Sequence, residues 1–145
     1  MSAPLWQPSQ LDCATRPNDL DSLGHVNHAV ALEYLEAGRW DWFARNGLQR
    51  SGGATPVVAR VEVDYLQQLF PGTVTVHTEL LCDPDELTYR APFRQQITVQ
   101  GADGSALPAI EARISVAFID LATKTLCSLQ DYVEHNASAA VPEAA

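Results

Sequence analysis

The sequence predicts an α+β domain in which one long central helix is wrapped by a curved antiparallel β-sheet. Three observations predict it. Residues 27–46 run without proline, four strand segments, three of them with period-2 alternation, follow across short turns, and the helical residues are apolar on nearly every face. A helix apolar almost all round needs cover, and a sheet with one buried face supplies it.

Taken in order, residues 11–16 read as a short strand stopped by Pro17, which cannot donate to a ladder and restricts the residue before it. Asn18 and Asp19 read as a turn. The helix over residues 27–46 is interrupted only by Val30 and Gly38, and Gly47 suits the position just past its end. Residues 56–67 alternate between Arg60 and Tyr65, "LFPGT" turns, and residues 74–81 alternate again. A polar-rich strand lies within residues 87–100, "GADGS" is a hairpin turn, and residues 109–121 form the longest alternating segment. "ATKT" then turns into a short terminal helix, with Ser128 and Asp131 spaced as a capping box. Four strands joined by short turns mean an antiparallel sheet. A sheet with a single long helix leaves edges open, so pairing with another copy is expected.

Composition bounds the function classes. The 145 residues suit one domain, read as residues 1–136, with the small-residue stretch 137–145 expected to be a disordered tail. The chain is 46% hydrophobic and 19% charged, and no apolar run approaches the ~20 residues of a bilayer span, so no membrane partner is expected. A formal charge of -9 with nine scattered cations argues against a nucleic-acid partner. Cys13, Cys82 and Cys127 are odd in number and far apart, which reads as three reduced thiols rather than a disulfide frame or a zinc site. The opening MSAPLWQPSQ has neither a basic nor an apolar leader region. A cytoplasmic protein is the expectation.

The segment before the helix carries the chemistry. Asp21 lies in a loop containing Gly24 that leads straight into the helix N-terminus, where first-turn amides lack intrahelical partners and carry the positive end of the dipole. Such amides can hold an oxygen that is becoming negative, while a carboxylate beside them activates water or attacks directly. Gly24 would let the backbone approach a substrate closely. The plain alternative makes Asp19, Asp21 and Asn27 turn and cap residues only. A metal set of Asp21, His25 and His28 is a weaker option, because the H-E-x-x-H spacing is absent and His77 and His135 are isolated.

The stretch "NDLDSLGHVNHAVALEYLEAGR" resembles the D-x-D-x-x-G-H-V-N-N-x-x-Y-x-x-Y-x-E-x-x-R signature of hotdog-fold acyl-CoA thioesterases of the 4-hydroxybenzoyl-CoA thioesterase type. "VARVEVDYLQQLFPGTVTVHTEL" resembles the second and third strands of the same family. The resemblance implies a hotdog fold, dimers joined sheet edge to sheet edge, sites at the subunit interface, and a homodimer or homotetramer. It implies hydrolysis of an acyl-CoA thioester without metal or redox cofactor. Asp21 falls at the catalytic carboxylate, and the amide that polarises the carbonyl falls at about His28. His25 and Asn27 take the family's His and Asn positions, where they orient the loop and cap the helix. Two positions depart from the pattern: His28 replaces the second Asn, and Ala31 replaces the first Tyr, which leaves more room near an acyl group or changes packing.

An acyl-CoA also brings phosphates. Arg90 and Arg94, with Arg60, Arg113 and Lys124, are candidate phosphate contacts, against a reading as isolated solubilising charges. Glu33 and Glu36 are reserve carboxylates, otherwise surface acids in pairs such as Glu36 with Arg39. Trp6, Trp40 and Trp42 suit the core or an interface. Two other functions fit the same scaffold: a thioesterase for acyl-carrier protein, and a non-catalytic acyl-binding module.

Overall fold

The computed structural model describes residues 6–48, 53–83 and 85–136. The expected disordered tail at 137–145 lies outside the described residues. Among the described residues the elements run in the order β1 (Ser9–Ala14), a 3-10 turn (Pro17–Asp19), α1 (His28–Arg45), β2 (Ala54–Tyr65), β3 (Thr73–Leu80), β4 (Arg90–Gln100), β5 (Ala106–Asp120), β6 (Leu126–Cys127) and α2 (Leu129–Asn136). The sheet order is β1-β3-β4-β5-β2, with β6 also paired to β5, and every pairing is antiparallel. This is the hotdog architecture.

Local rules explain where α1 starts and stops. The Asn27 side chain accepts the Ala29 N–H at 2.9 Å, which caps the first turn. At the other end Gly47 sits at φ 78°, and the Leu48 N–H reaches back to the Phe43 carbonyl at 2.8 Å. Replacing Asn27 with alanine leaves the Ala29 amide without its acceptor, and thermal melts should show a loss of about 1 kcal/mol. The capping box at α2 also forms, with Asp131 N–H donating to Ser128 Oγ and Ser128 N–H to Asp131 Oδ2.

Alternation sorts the strands into two faces. Val74, Val76 and Thr78 of β3, Phe93, Gln95 and Ile97 of β4, and Ile110, Ala112 and Ile114 of β5 are buried toward α1. The helix comes close because residue 38 is glycine: a Cβ there would strike Val76 Cγ1 and crowd Thr78 and Gln95. At the far end of α1, Trp42 packs among Trp6, Phe43 and Phe93, while Tyr132 of α2 stacks on Phe118 at 4.9 Å. The tryptophan expectation therefore holds for Trp42 as core.

Three sequence expectations need correction. One chain does not enclose α1 on every side: the sheet buries the stripe Ala31, Tyr34, Leu35, Gly38, Arg39, Trp42 and Phe43, and leaves Ala29, Leu32 and Ala44 exposed. Arg39 is not a surface residue: the Glu36 charge acts on it, but it lies on the buried stripe and donates from Nη1 to Gln95 Oε1 at 3.0 Å. Burial pushes its guanidinium pKa downward, and Gln95 is tied in turn to Thr78 and the Leu35 carbonyl. Strand β2, finally, alternates over residues 60–65 without burying either face fully. It is an end strand of the sheet, and on the helix side Val58 and Val61 remain 48% and 43% exposed.

Candidate active site

The loop between the 3-10 turn and α1 is a small closed ladder. The Asn27 N–H donates to the Asp19 carbonyl, Leu20 and Val26 form an isolated bridge, and the Asp21 N–H donates to the His25 carbonyl at 2.7 Å. Gly24 closes the tip at φ 81°, a conformation that a side chain would strain. Two rungs separate Asp21 from Asn27, so the acid stands about 7 Å along the ladder from the start of the helix.

Asp19 anchors the base of this ladder. Its carboxylate accepts the Tyr34 hydroxyl at 2.6 Å and the Arg16 N–H at 2.9 Å, and pairs with the Arg16 guanidinium at 2.9 Å. Those bonds, Arg16 first and Tyr34 second, hold its pKa down to about 2. Burial and the adjacent Asp19 push the Tyr34 hydroxyl upward, so it stays a donor. Asp19 therefore binds α1 to the loop with a charge-assisted contact. Its contribution to stability is complete above the ordinary carboxylate range near pH ~4 and is lost as pH falls through its folded value.

Asp21 is fixed but open. Its Oδ1 accepts the Leu23 N–H at 2.8 Å and the His25 N–H at 3.1 Å, bonds that lower its pKa, the His25 bond contributing most. Oδ2 has no partner among the described residues. The side chain is exposed, and neither the hollow of about 900 Å³ on the outer face of the sheet nor that of about 400 Å³ beside Arg16 includes it. Among the described residues Asp21 therefore stands outside both hollows.

The first turn of α1 sorts its own amides. Ala29 N–H is taken by Asn27 Oδ1, and Val30 and Ala31 N–H groups reach the Asn27 carbonyl at 2.9 and 3.3 Å. The His28 N–H has no partner among the described residues. Its neighbours are aromatic: the His28 ring lies edge-on to Tyr65 at 6.3 Å, the His25 ring edge-on to Phe70 at 5.0 Å, and the Tyr65 hydroxyl donates to the His28 carbonyl. Val26 N–H donates to the carbonyl of buried Leu69, which fixes the loop on the β2–β3 connection.

Within one chain the structure gathers Asp21, Gly24, His25, Asn27 and His28 in this loop. Arg90 and Arg94 do not join them. Arg94 is bound by Glu79, and Arg90 pairs with Ala117, about 23 Å along β5 from the Ile110 that faces Tyr65. Arg60 is held by Glu62 at 2.6 Å, so the five cations do not form one free patch. No group of three or more His, Cys, Asp or Glu side chains among the described residues is placed to hold a metal ion. Glu33 and Glu36 are exposed, Glu33 lying 3.6 Å from Arg16. Ala31 is 1% exposed, so the exchange of an aromatic for alanine there alters core packing. Asp19 as a buried hub and Tyr65 as a helix contact were not visible in the sequence.

The sequence matches the model of the thioesterase-like superfamily over residues 15–144. No curated protein matches it. Among solved structures it is similar to YbaW, a probable thioesterase from Escherichia coli, at 25% identity over 86% of this chain and 93% of that one, with TM-score 0.66. DHNA-CoA thioesterase from Staphylococcus aureus shares 19% identity over 88% and 84% of the two chains, with TM-score 0.70. An Asp-to-Asn mutant of 4-hydroxybenzoyl CoA thioesterase, complexed with 4-hydroxybenzoyl CoA, shares 14% over 88% and 96%, with TM-score 0.73. The last two likenesses are of fold. With a matching family model over most of its length and the hotdog architecture, the chain belongs to the thioesterase-like superfamily and is a thioester hydrolase.

Proposed function

We propose that the protein hydrolyses an acyl-CoA thioester, with Asp21 acting on the carbonyl carbon and the His28 N–H receiving the charge on the carbonyl oxygen. The observation that carries this reading is the unpartnered His28 amide, at the head of the long helix and in the same closed ladder as a fixed carboxylate. The other first-turn amides are occupied, which leaves this one for substrate. Asp21 acts either as the base for the attacking water or as the attacking oxygen itself. On the water route, the water oxygen bonds to the carbonyl carbon as its proton passes to Asp21. Collapse of the tetrahedral adduct breaks the C–S bond, and the thiolate leaves and is protonated. The products are the free acid and CoA. The likeness to two CoA thioesterases of the same fold supports CoA as the thiol.

The site in this reading is completed by a second copy. Asp21 is open to solvent, whereas stabilising a charged adduct by a few amides works best where water is excluded. Among the described residues strand β2 offers a free edge, and its helix-side residues Val58, Val61 and Tyr65 are exposed, with Tyr65 at the end that meets the head of α1. A partner strand there buries the apolar strip and encloses the acid. Charging the strip with Val58→Lys and Val61→Lys should give monomers in size-exclusion chromatography with light scattering, and lower kcat/KM at least ~10-fold. A monomeric wild type with full activity would remove the partner from the site.

A panel of aromatic, short-chain and long-chain acyl-CoAs with thiol detection tests the activity, and acyl-carrier protein with the same acyl groups tests the carrier. Tight acyl binding without release of thiol on every member would replace hydrolysis with a binding function.

A further inference from the structure

We propose that Tyr65 is a positioning residue for hydrolysis: its hydroxyl, donated to the His28 carbonyl, holds the head of α1 where the His28 N–H meets the thioester carbonyl. This rests on the reading of Asp21 and His28 given above.

The bond is 2.8 Å long and joins residues 37 apart in sequence, one at the end of an edge strand and one at the start of the helix. Backbone satisfaction does not demand it. In an α-helix the carbonyl of the first residue already receives the N–H four residues on, so Tyr65 supplies a second donor to a group that had one. Its effect is on position.

The head of α1 needs such a fix. His28 and Ala29 are exposed and Val30 only half-buried against the core, so full burial begins at Ala31. Apart from the Asn27 cap, the Tyr65 hydroxyl is the one side-chain hydrogen bond to the first turn among the described residues. The rings of Tyr65 and His28 also meet edge-on at 6.3 Å, an arrangement favoured by their charge distributions.

Tyr65 is itself firmly held. It pairs with Ile110 at the end of β2, and the next two amides, Leu66 and Gln67, both donate to the Ala109 carbonyl at 2.8 and 3.2 Å. The Gln67 side chain donates to the Pro108 carbonyl at 3.2 Å. The hydroxyl therefore stands on the sheet rather than on a loose connection. Partial burial raises its pKa, so it remains a donor throughout the neutral range. Because β2 is an end strand of the sheet, the same residue ties the strand that accepts a partner in this reading to the amide that accepts the substrate.

Tyr65→Phe keeps the ring, the edge contact and the strand pairing, and removes only the hydroxyl. The measurements are kcat, KM, melting temperature and assembly with the acyl-CoA that the wild type turns over fastest, together with exchange of the His28 and Ala29 amides by NMR. The expected result is a kcat lower by about 10- to 100-fold, KM within about twofold, unchanged melting and assembly, and faster exchange at those two amides. Three outcomes overturn the proposal: an unchanged kcat, a raised KM with kcat intact, or a loss of rate that merely tracks a lower melting temperature or a lost dimer. Asp21→Asn assayed in parallel separates the two levels. Full turnover by that variant sinks the site reading, whereas its inactivity beside a fully active Tyr65→Phe sinks Tyr65 alone.

Discussion

Asp21→Asn should lower kcat by ~10² or more on any acyl-CoA the wild type hydrolyses, with fold and assembly intact. The structure separates charge from geometry at this position. Oδ1 holds the tip of the loop by accepting the Leu23 and His25 amides, and asparagine offers a carbonyl oxygen in the same place. Oδ2, which has no hydrogen-bond partner among the described residues, becomes an NH2 that neither takes a proton nor attacks carbon. Near-normal turnover by the variant would move the chemistry to another carboxylate, and Glu36 is then the better candidate because Glu33 already faces Arg16.

The pH dependence follows from the same two amides. They stabilise the ionised form, so the carboxylate titrates below its ordinary range. Protonation abolishes its reactivity, hence the acid limb of kcat/KM should bend only below about pH 4. For stability the sign is that of a depressed acid: the contribution is present above the ordinary pKa and disappears as pH falls through the folded value. An acid limb near neutrality would assign the attack to a group other than Asp21.

What the sequence disclosed was local. The helix could be read because its cap at Asn27, its Gly47 stop and its proline-free interior are all written within residues 27–47. Asp21 could be read because it lies seven residues before His28, inside a motif whose meaning is set by the following helix. Asp19 was open only to half a reading. Its turn position is local, but the Tyr34 hydroxyl that makes it a hub arrives one face of the helix later, 15 residues on. Tyr65 gave no signal at all, since it occupies one more alternating position in a strand and its role depends on where β2 ends relative to α1. Arg39 was misread for a related reason. Its spacing from Glu36 suggests a surface pair, while its place on the buried stripe of α1 brings it to Gln95, 56 residues away. Order within the sheet is likewise non-local. Alternation identifies β2 as a strand, yet only its pairing with β5 alone shows that its other edge is unpaired among the described residues.

Trp42→Ala should cost about 3–5 kcal/mol and lower the melting temperature by roughly 10–20 °C, while leaving kcat of the folded protein unchanged. Trp42 is fully buried, and its ring meets Trp6 at 5.7 Å, Phe43 at 5.3 Å and Phe93 at 5.0 Å. Its Nε1 has no hydrogen-bond partner among the described residues, so truncation breaks no polar contact there and the loss is one of packing. The cavity cannot collapse readily, because Phe93 is set by the strand register and Phe43 by the same helix. Gln95→Leu makes the informative contrast. It removes a smaller volume but strips the buried Arg39 guanidinium of its acceptor, and a hydrogen bond to a charged group is worth about 1.5–3 kcal/mol. The tryptophan substitution should therefore be the more damaging of the two. Trp42 also lies fourteen residues along α1 from His28, about 21 Å, so the head of the helix keeps its cap, its Tyr65 contact and its ladder when the far end is hollowed. Calorimetry beside kinetics measured well below the transition checks both halves. A kcat that falls with Trp42 would show that the aromatic end of α1 sets the position of its catalytic end.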